Sequence, residues 1–238
     1  MQIPIISARG LTKVYSDADA PALNGVDLDI APGRSLAIMG ASGSGKTTLL
    51  HTLAGIITPT SGTVRFQGAN QVFNIEQLSD KERSKLRREE FGFVFQQGLL
   101  LDELTALENV AVAKMLVGVP RPAAEQEAAI WLGKLGLAGM EQRRLGQMSG
   151  GQAQRVAIAR ARITGARVLF ADEPTGSLDS HTGEEVINAL LWVVQDGSTL
   201  VLVTHDRAIA ARCDRVITIR DGRIESDTDA GAQPGAEQ

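Results

Sequence analysis

The chain has 238 residues, of which 43% are hydrophobic and 22% are charged, and its formal net charge is −4. This composition is ordinary for a globular protein that buries a full core, and the acidic balance argues against a basic surface for nucleic acid. No apolar run approaches the roughly 18 residues that a membrane-spanning helix needs, and the first residues lack the features of a signal peptide. The single cysteine, Cys213, rules out an internal disulfide and suits a reducing cytoplasm. We therefore expect no direct membrane insertion, so that any membrane role comes through a partner.

The first part of the chain predicts short strands that lead into a glycine-rich loop. Strands are predicted over residues 5–15, 23–30 and 35–39. Residues 40–47 read Gly-Ala-Ser-Gly-Ser-Gly-Lys-Thr, which matches the phosphate-binding pattern G-x-x-x-x-G-K-[ST], and residues 47–54 follow with helical spacing. Backbone N–H groups and the helix dipole both favour an anion at such a turn. The flanking strand and helix favour a nucleotide site over a glycine-rich turn with a chance lysine.

Two side chains of this phosphate loop (residues 40–47) have a defined chemistry. Lys46 is placed to reach the β- and γ-phosphates, and the Thr47 hydroxyl is placed to bind Mg²⁺. The other residues that we expect to bind nucleotide here are Gly40, Ser42, Gly43, Ser44, Gly45 and Thr48. Upstream lies Tyr15, the only tyrosine, whose ring either stacks on a nucleotide base or is an ordinary strand aromatic.

Strands and helices then alternate until a long helical block begins. The next predicted elements are strands at 63–66 and 91–95 and a charged helix at 79–90. Residues 99–164 have helical spacing, with helices that start near Leu107 and cover 123–135 and 152–163. A helical block inside an alternating pattern predicts an inserted subdomain. We interpret Trp131 and Trp192 as core or interface anchors rather than ligand-binding residues.

A second chemical centre follows at residues 168–173, where four apolar residues end in Asp172 and Glu173. This pattern predicts a buried strand whose carboxylates emerge at its carboxyl end, where open α/β sheets bind ligands. The first acid can hold Mg²⁺, directly or through its waters, and the next can polarise an attacking water; phosphoryl hydrolysis needs both functions. The alternative is that the acidic pair caps the next helix. The phosphate loop in the same chain favours the catalytic interpretation.

The C-terminal part predicts two more strands. Residues 199–203 form an apolar run that ends near His205, a position from which the imidazole can reach a γ-phosphate. Residues 214–220 predict the final strand, and Asp221-Gly222 is a hairpin signal before a short return. From residue 226 onward the side chains are small and polar, which predicts a flexible tail over 226–238.

Residues 148–152, Met-Ser-Gly-Gly-Gln, resemble the signature L-S-G-G-Q of the ATP-binding cassette (ABC) ATPases. The other motifs occur in that family's order: the phosphate loop, Gln96, this signature segment, the acidic pair, Ser-Leu-Asp at 177–179, and His205. The resemblance extends from Tyr15 to Ile224. It implies an α/β fold: a P-loop NTPase (RecA-like) core with an antiparallel β subdomain and an inserted α-helical subdomain.

The resemblance also implies how one ABC domain over residues 1–238 is divided. The nucleotide-binding core is expected at 1–95 and 166–225, and the helical signature subdomain at 96–165. Two positions depart from the family pattern, since Met148 replaces a leucine and Ala153 replaces a second glutamine. We expect both changes to be mild, because Leu and Met have similar volumes and Gln152 and Arg155 remain.

Family roles can be carried over to matching positions. Tyr15 is similar to the adenine-stacking aromatic, and Gln96 to the loop glutamine that contacts Mg²⁺ and relays to the membrane partner. Glu173 is similar to the general base, Asp172 to the metal-binding acid, and His205 to the γ-phosphate sensor. In this family two cassettes dimerise head to tail around ATP. The residues implied to close over the partner's ATP, or to link the two sites, are Ser149, Gly150, Gly151, Gln152 and Asp179.

Residues 91–96, 107–110 and 172–186 resemble the macrolide-exporter and lipoprotein-release group of this family. That resemblance implies ATP and Mg²⁺ as cofactors, a homodimer, an integral-membrane permease as partner, and a location on the cytoplasmic face of the inner membrane. A soluble ABC protein acting on nucleic acid is disfavoured by the acidic balance and the single cassette. A module that signals to a cell-wall enzyme stays open, as does the cargo: lipoprotein, peptide antibiotic, haem or drug.

Overall fold

The computed structural model describes residues 3–16 and 20–229. In chain order the strands and helices are β1 (Ile6–Lys13), β2 (Leu23–Ile30), β3 (Ser35–Met39), α1 (Lys46–Leu53), β4 (Ser61–Gln67), β5 (Val72–Asn74), α2 (Asp80–Glu90), β6 (Phe91–Phe95), α3 (Ala106–Met115), α4 (Arg121–Lys134), α5 (Gly150–Arg162), β7 (Val168–Asp172), α6 (Ser180–Gln195), β8 (Thr199–Val203), α7 (Arg207–Ala210), β9 (Arg215–Arg220) and β10 (Arg223–Asp229). The described residues fall into two compact units: unit 1 comprises 3–16, 20–84 and 199–229, and unit 2 comprises 85–198.

Unit 1 contains an antiparallel sheet in the order β2-β1-β4-β5. Strand β2 shows why it forms: Leu23, Val26, Leu28 and Ile30 are buried, and Asp27 and Asp29 between them are exposed. Such alternation is expected where one face of a sheet packs on the core and the other meets water. The predicted antiparallel β subdomain is therefore present, with the addition of the short strand β5.

Unit 1 also contains four strands built around β3. Strands β8 and β9 lie on either side of β3 and run parallel to it, so that Ile38 faces Val203 on one side and Ile217 on the other. Strands β3 and β8 are almost fully buried, which explains their continuous apolar runs. Because parallel strands end at the same edge, the segments that follow β3, β8 and β9 emerge together.

The hairpin between β9 and β10 is confirmed. Asp221 and Gly222 both have positive φ, 48° and 71°, as a two-residue type I′ turn requires. The prediction that the tail begins at residue 226 is wrong, since residues 226–229 continue β10 and pair with β9. Apolar patterning missed this strand because Arg215 holds it by charge, with Nε donating to Asp227 Oδ1 at 2.7 Å and Nη2 to Oδ2 at 2.6 Å. Residues 230–238 of the predicted tail lie outside the described residues.

Unit 2 is built on the parallel pair β6 and β7, in which Phe91 faces Val168 and Phe95 faces Asp172. Helix α5 contacts β6, α3, α4 and α6. The close approach of α5 depends on Gly92, because a Cβ there would lie 2.3 Å from the carbonyl oxygen of Ala161. Both tryptophans belong to this unit: Trp131 is buried, and its ring centroid lies 6.1 Å from that of the partly exposed Trp192.

The compact units do not coincide with the predicted division of the chain. Strands β6 and β7 and helix α6 group with the helices of unit 2, whereas the division predicted from the family placed residues 91–95 and 166–198 in the nucleotide-binding core. The compact units are defined by packing, whereas the predicted division separates the nucleotide-binding core from the signature subdomain by function. The compact units therefore do not test the predicted division, which stays a prediction. Within 3–16 and 20–229, no helix has the length and apolar character to cross a bilayer.

The close approach of α5 to β6 can be tested by filling it. We expect Gly92→Ala to lower the free energy of unfolding by about 1–3 kcal/mol, because the methyl group would overlap a backbone carbonyl in a packed interior. Gly133→Ala, in the exposed last turn of α4 with nothing within 4 Å of its added Cβ, should instead stabilise by about 0.5–1 kcal/mol. Urea denaturation measures both changes. Equal stability of wild type and Gly92→Ala would contradict this packing.

Candidate functional site

The phosphate loop joins the end of β3 to the start of α1, as predicted, and its shape requires glycine. Gly40 and Gly45 have φ of 146° and 105°. A Cβ on Gly45 would lie 2.3 Å from the carbonyl oxygen of Ala22, and one on Gly40 would lie 2.2 Å from that of Ile219. Gly45 is also the N-cap of α1 and provides no side-chain hydrogen bond to the helix. The first N–H groups of α1 are thus left to face an anion.

Lys46 and Ser44 occupy the interior of this loop. Lys46 is only 9% exposed, and its Nζ donates to the carbonyl oxygen of Ala41 at 2.8 Å. An ammonium has three N–H donors, so this bond leaves donors for phosphate oxygens. Ser44 is 8% exposed, and its Oγ has no hydrogen-bond partner within the described residues. A buried hydroxyl without a partner fits a loop whose hydrogen bonds are completed by a bound anion.

A cavity of about 470 Å³ adjoins the loop within unit 1. It is lined by residues 40–44 of the phosphate loop, residues 218–221 and Glu225. The β9–β10 turn is tied to the loop by the backbone, since Gly222 N donates to Ser44 O at 3.1 Å. The loop is therefore supported from the sheet side, and its residues Ala41, Ser42, Gly43 and Thr47 remain exposed.

His205 and the phosphate loop both follow strands that are neighbours in the sheet. His205 follows β8, which pairs with β3, and Thr204 N donates to Ile38 O at 3.2 Å. The side chain of Asp206 then accepts a hydrogen bond from Ala208 N at 2.7 Å and begins α7. His205 is thus held exposed at the strand edge from which the loop starts. Tyr15 follows β1 and is 43% exposed, and Lys13 Nζ lies 5.3 Å from its ring centroid.

In unit 2 the structure brings together Gln96, Asp172 and Glu173. Phe95 faces Asp172 across the parallel pair, so Gln96 and Glu173 are the next residues on each strand. Glu173 is half-buried and has a φ of 46°, a left-handed conformation that residues other than glycine rarely adopt. Such strain is often found where a side chain is aimed for function. Residues 173–176 form a turn, which we call the acid turn. It is closed by a hydrogen bond from Gly176 N to Glu173 O at 3.1 Å.

The alternative role of the acidic pair, as a cap for the next helix, is wrong. That helix is α6, and its N-cap is Asp179, whose carboxylate accepts a hydrogen bond from Thr182 N at 3.0 Å. This backbone hydrogen bond lowers the pKa of Asp179 below its ordinary value. Asp172 and Glu173 are therefore not used to begin a helix.

The signature segment (residues 148–152) forms the N-terminus of α5. Ser149 is the N-cap and makes a capping box with Gln152: its Oγ accepts from Gln152 N at 3.2 Å, and its own N–H donates to Gln152 Oε1 at 3.0 Å. Ser149 and Gly150 are exposed. Gly151 is buried against α6, since an added Cβ would lie 2.1 Å from Thr182 Cγ2. The helix N-terminus is thus presented to solvent, where its dipole favours an anion.

Sequence reasoning missed one residue that the structure places among these loops. Gln154 is 3% exposed, and its amide lies against the backbone of residues 95, 96 and 174. Its spacing gave a signal, because Gly151, Ala157 and Ile158 are buried on the same face of α5 at three and four residues' distance. A glutamine on a buried helix face needs polar partners, and here they come from segments distant in the sequence.

Comparison with known proteins decides the family. Residues 23–176, which contain the phosphate loop, the signature segment and the acidic pair, match the family model described as ABC transporter. The chain belongs to the ABC transporter family. The predicted resemblance, the fold class and the ATPase class are confirmed.

The relatives extend this to a group within the family. The chain is 45% identical to the macrolide export ATP-binding/permease protein MacB of Nitrosomonas europaea over 234 residues, which is 97% of this chain and 35% of that protein. It is 46% identical over 231 residues to the pyoverdine export ATP-binding/permease protein PvdT of Pseudomonas fluorescens, covering 96% and 35%. The chain therefore spans about a third of the length of these relatives.

Solved structures agree. The dimeric structure of an ATP-binding cassette in a post-hydrolysis state, bound to ADP and Pi, superimposes with a TM-score of 0.84 at 37% identity, covering 94% of this chain and 98% of that one. A second cassette, from Clostridium perfringens and part of a cbiONQ transporter complex, has a TM-score of 0.85 at 29% identity, covering 96% and 90%. The predicted resemblance to the exporter group is confirmed by the relatives, and the fold by these structures.

The position of Tyr15 allows a test of base recognition. Lys13 covers one face of its ring, so a base would stack on the other. We expect Tyr15→Ala to weaken ATP binding by about 1–2 kcal/mol, the usual value of one aromatic–base stack, and Tyr15→Trp to be tolerated. Titration calorimetry measures both affinities. If Tyr15→Ala bound ATP as tightly as the wild type, Tyr15 would be only a strand-end aromatic.

Proposed function

We propose that this chain is the ATP-binding and ATP-hydrolysing part of an ABC export system, in which two copies close around two ATP and drive a membrane permease. In this family each ATP is expected to lie in a split site, formed by the phosphate loop of one subunit and the signature segment of the other. The observation that carries the proposal is that this chain has a segment suited to each of these two roles. The phosphate loop has an uncapped helix N-terminus and a buried lysine, and the signature segment presents an exposed helix N-terminus. Each half favours an anion, and a head-to-tail dimer would supply both to one triphosphate.

Binding would fall to the phosphate loop. The backbone N–H groups of residues 42–48 surround the phosphates, and Lys46 neutralises charge on the β- and γ-phosphates. Mg²⁺ would offset the remaining phosphate charge, and the expected donors from the protein, Thr47, Asp172 and Gln96, all provide the oxygen ligands that it prefers. Within the described residues no cluster of three or more His, Cys, Asp or Glu forms a metal site. Mg²⁺ in nucleotide sites is usually bound by substrate phosphates and several waters, with one or two ligands from the protein.

Hydrolysis would depend on Glu173 and His205. Glu173 accepts a proton as the oxygen of water attacks the γ-phosphorus, the bond to the β-phosphate oxygen breaks, and ADP and phosphate leave. His205 donates a hydrogen bond to the γ-phosphate. Asp179, together with Ser149 and the glycines of the signature segment, would close over the ATP of the partner subunit. The left-handed backbone of Glu173 supports its role, because strain of this kind is retained where a side chain must be aimed.

The names of the relatives support a proposal for the partner of this chain. Both export proteins are named as combined ATP-binding/permease proteins. The match to this chain covers about a third of the length of each. We propose that the chain works with an integral-membrane permease, fused or separate, at the cytoplasmic face of the inner membrane. Copurification with the permease, followed by its identification, tests this directly. A permease-free assembly with a cell-wall enzyme would instead support the signalling alternative.

The role of Glu173 is tested by an isosteric change. Glu173→Gln keeps the size of the side chain but removes its proton acceptor, so hydrolysis should fall by about 10²–10⁴-fold. ATP binding should survive, because the phosphate loop is unchanged. The trapped ATP should then hold two chains together, which gel filtration with ATP and Mg²⁺ would show as a stable dimer.

Lys46→Ala is the matched control, since it should lose ATP binding and the dimer alike. A wild-type rate of hydrolysis in Glu173→Gln would place the base elsewhere. A dimer that formed equally well in Lys46→Ala would show that ATP does not join the subunits.

The split site also predicts the effect of blocking the signature segment. Ser149→Arg should leave ATP binding to the phosphate loop intact but abolish the ATP-dependent dimer and hydrolysis, because a bulky cation would occupy the exposed N-terminus of α5. Ser149→Thr retains the helix cap and should remain active. Sedimentation and ATPase assays measure both. Full activity in Ser149→Arg, or a tight wild-type dimer without nucleotide, would contradict the split site.

A further inference from the structure

Gln154 makes an unusual set of contacts within unit 2. Its Nε2 donates to three backbone carbonyl oxygens, those of Pro174 at 2.6 Å, Phe95 at 2.8 Å and Gln96 at 3.3 Å. An amide nitrogen has two N–H donors, so the two short bonds are complete and the third is shared. Pro174 directly follows Glu173 in the chain. Of the other two carbonyls, one is that of Gln96 itself and the other is that of the residue before it, Phe95.

The orientation of this amide is determined by its surroundings. If the oxygen and nitrogen were exchanged, Oε1 would face three carbonyl oxygens. In the orientation observed, Oε1 is buried and has no hydrogen-bond partner within the described residues. The residue therefore gains its hydrogen bonds on the nitrogen side alone. An apolar side chain would avoid the unpaired oxygen, so packing does not account for glutamine at this place in α5.

Helix α5, which contains Gln154, also makes hydrogen bonds to the backbone of the segment after Gln96. Arg160 is a half-buried residue of the same helix, and it donates from Nη2 to Gly98 O and from Nη1 to Leu99 O, both at 2.7 Å. Burial lowers the pKa of Arg160 from its ordinary value. Leu99 has a φ of 47°, so this glutamine loop (residues 96–99) has a backbone that depends on external support. Helix α5 supplies that support, and Gln154 extends it to the acid turn by donating to Pro174 O.

We propose that Gln154 is a positioning residue for ATP hydrolysis, which holds the glutamine loop and the acid turn at a fixed separation through their backbone carbonyls. The proposal rests on the function proposed above, since it assigns Gln154 to the placement of Gln96 and Glu173. Gln154 touches neither nucleotide nor metal in this role. Because α5 begins at Ser149, the same helix presents the signature segment at one end and sets the two loops from its middle.

The test replaces the amide by an apolar group of similar length. Gln154→Met should lower kcat by roughly 10–100-fold, because displacing catalytic groups by about 1 Å has effects of that size, while KM and the Kd for ATP change by less than about threefold. Amide hydrogen exchange should become faster in peptides covering residues 96–99 and 173–178. Gln154→Asn keeps the amide but is one methylene group shorter, so it should also lower kcat and speed exchange in both loops. It provides the test if Gln154→Met fails to fold.

Asn109 provides a matched control. It is fully buried in α3, and its amide also clamps backbone, accepting from Leu101 N at 2.8 Å and donating to Leu101 O at 3.0 Å, outside both loops. Asn109→Leu should lower the unfolding midpoint to a similar extent as Gln154→Met but leave kcat within about threefold of the wild type. If kcat fell equally in both variants, or exchange in either loop were unchanged in Gln154→Met, the proposal would be overturned. If the wild-type chain had no ATPase activity, the proposed function would be wrong. Amide hydrogen exchange in the wild type and in Gln154→Met would still show whether Gln154 holds the two loops.

Discussion

The N-terminus of a helix leaves backbone N–H groups without partners, and the functional segments of this chain are organised by how those groups are satisfied. Helices α3, α5 and α6 satisfy them with their own side chains, from Thr105, Ser149 and Asp179. Helix α1 begins at Gly45, which has no side chain to offer, directly after a loop rich in glycine. Helix α4 also lacks a side-chain cap, but it begins at Pro120 and follows no such loop. The phosphate loop is thus the start of a helix whose cap is left to a ligand.

Where a pattern is local, the sequence predicts structure closely. Strands β2, β3, β6 and β8 have the bounds that alternation or an apolar run predicts, because each is decided by whether one face or both are buried. The end of β10 was missed because it is held by the Arg215–Asp227 ion pair rather than by apolar burial. No helix is predicted from the sequence at α6, because the motif of residues 172–186 overlaps its first turns. Its start depends on Asp179, a residue that the family resemblance assigns to function and the structure also uses as a cap.

For the candidate site, the sequence predicts which residues take part but not how they are held. The motifs around Lys46, Ser149 and Glu173 can be recognised because their spacing is continuous in the chain. The contacts of Gln154 cannot be recognised this way, since they join segments 20 and 59 residues away. The left-handed backbone of Glu173 is equally invisible, because glutamate gives no local preference for that conformation.

Three residues of the phosphate loop, helix α5 and the acid turn carry a cost of folding: the Oγ of Ser44 and the Oε1 of Gln154 are unpaired, and the backbone of Glu173 is left-handed. Each cost is of the order of 1–3 kcal/mol, which is substantial against the roughly 5–15 kcal/mol that stabilises a typical domain. Unpaired buried atoms also occur at Glu76 and Thr164, so such an atom does not by itself mark a site. At Ser44 it lies inside an uncapped phosphate loop, and at Gln154 it is the consequence of directing both N–H groups at the loops of Gln96 and Glu173. The function proposed above would account for both atoms, since a bound phosphate would pair with Ser44 Oγ and Gln154 would position the two loops for hydrolysis.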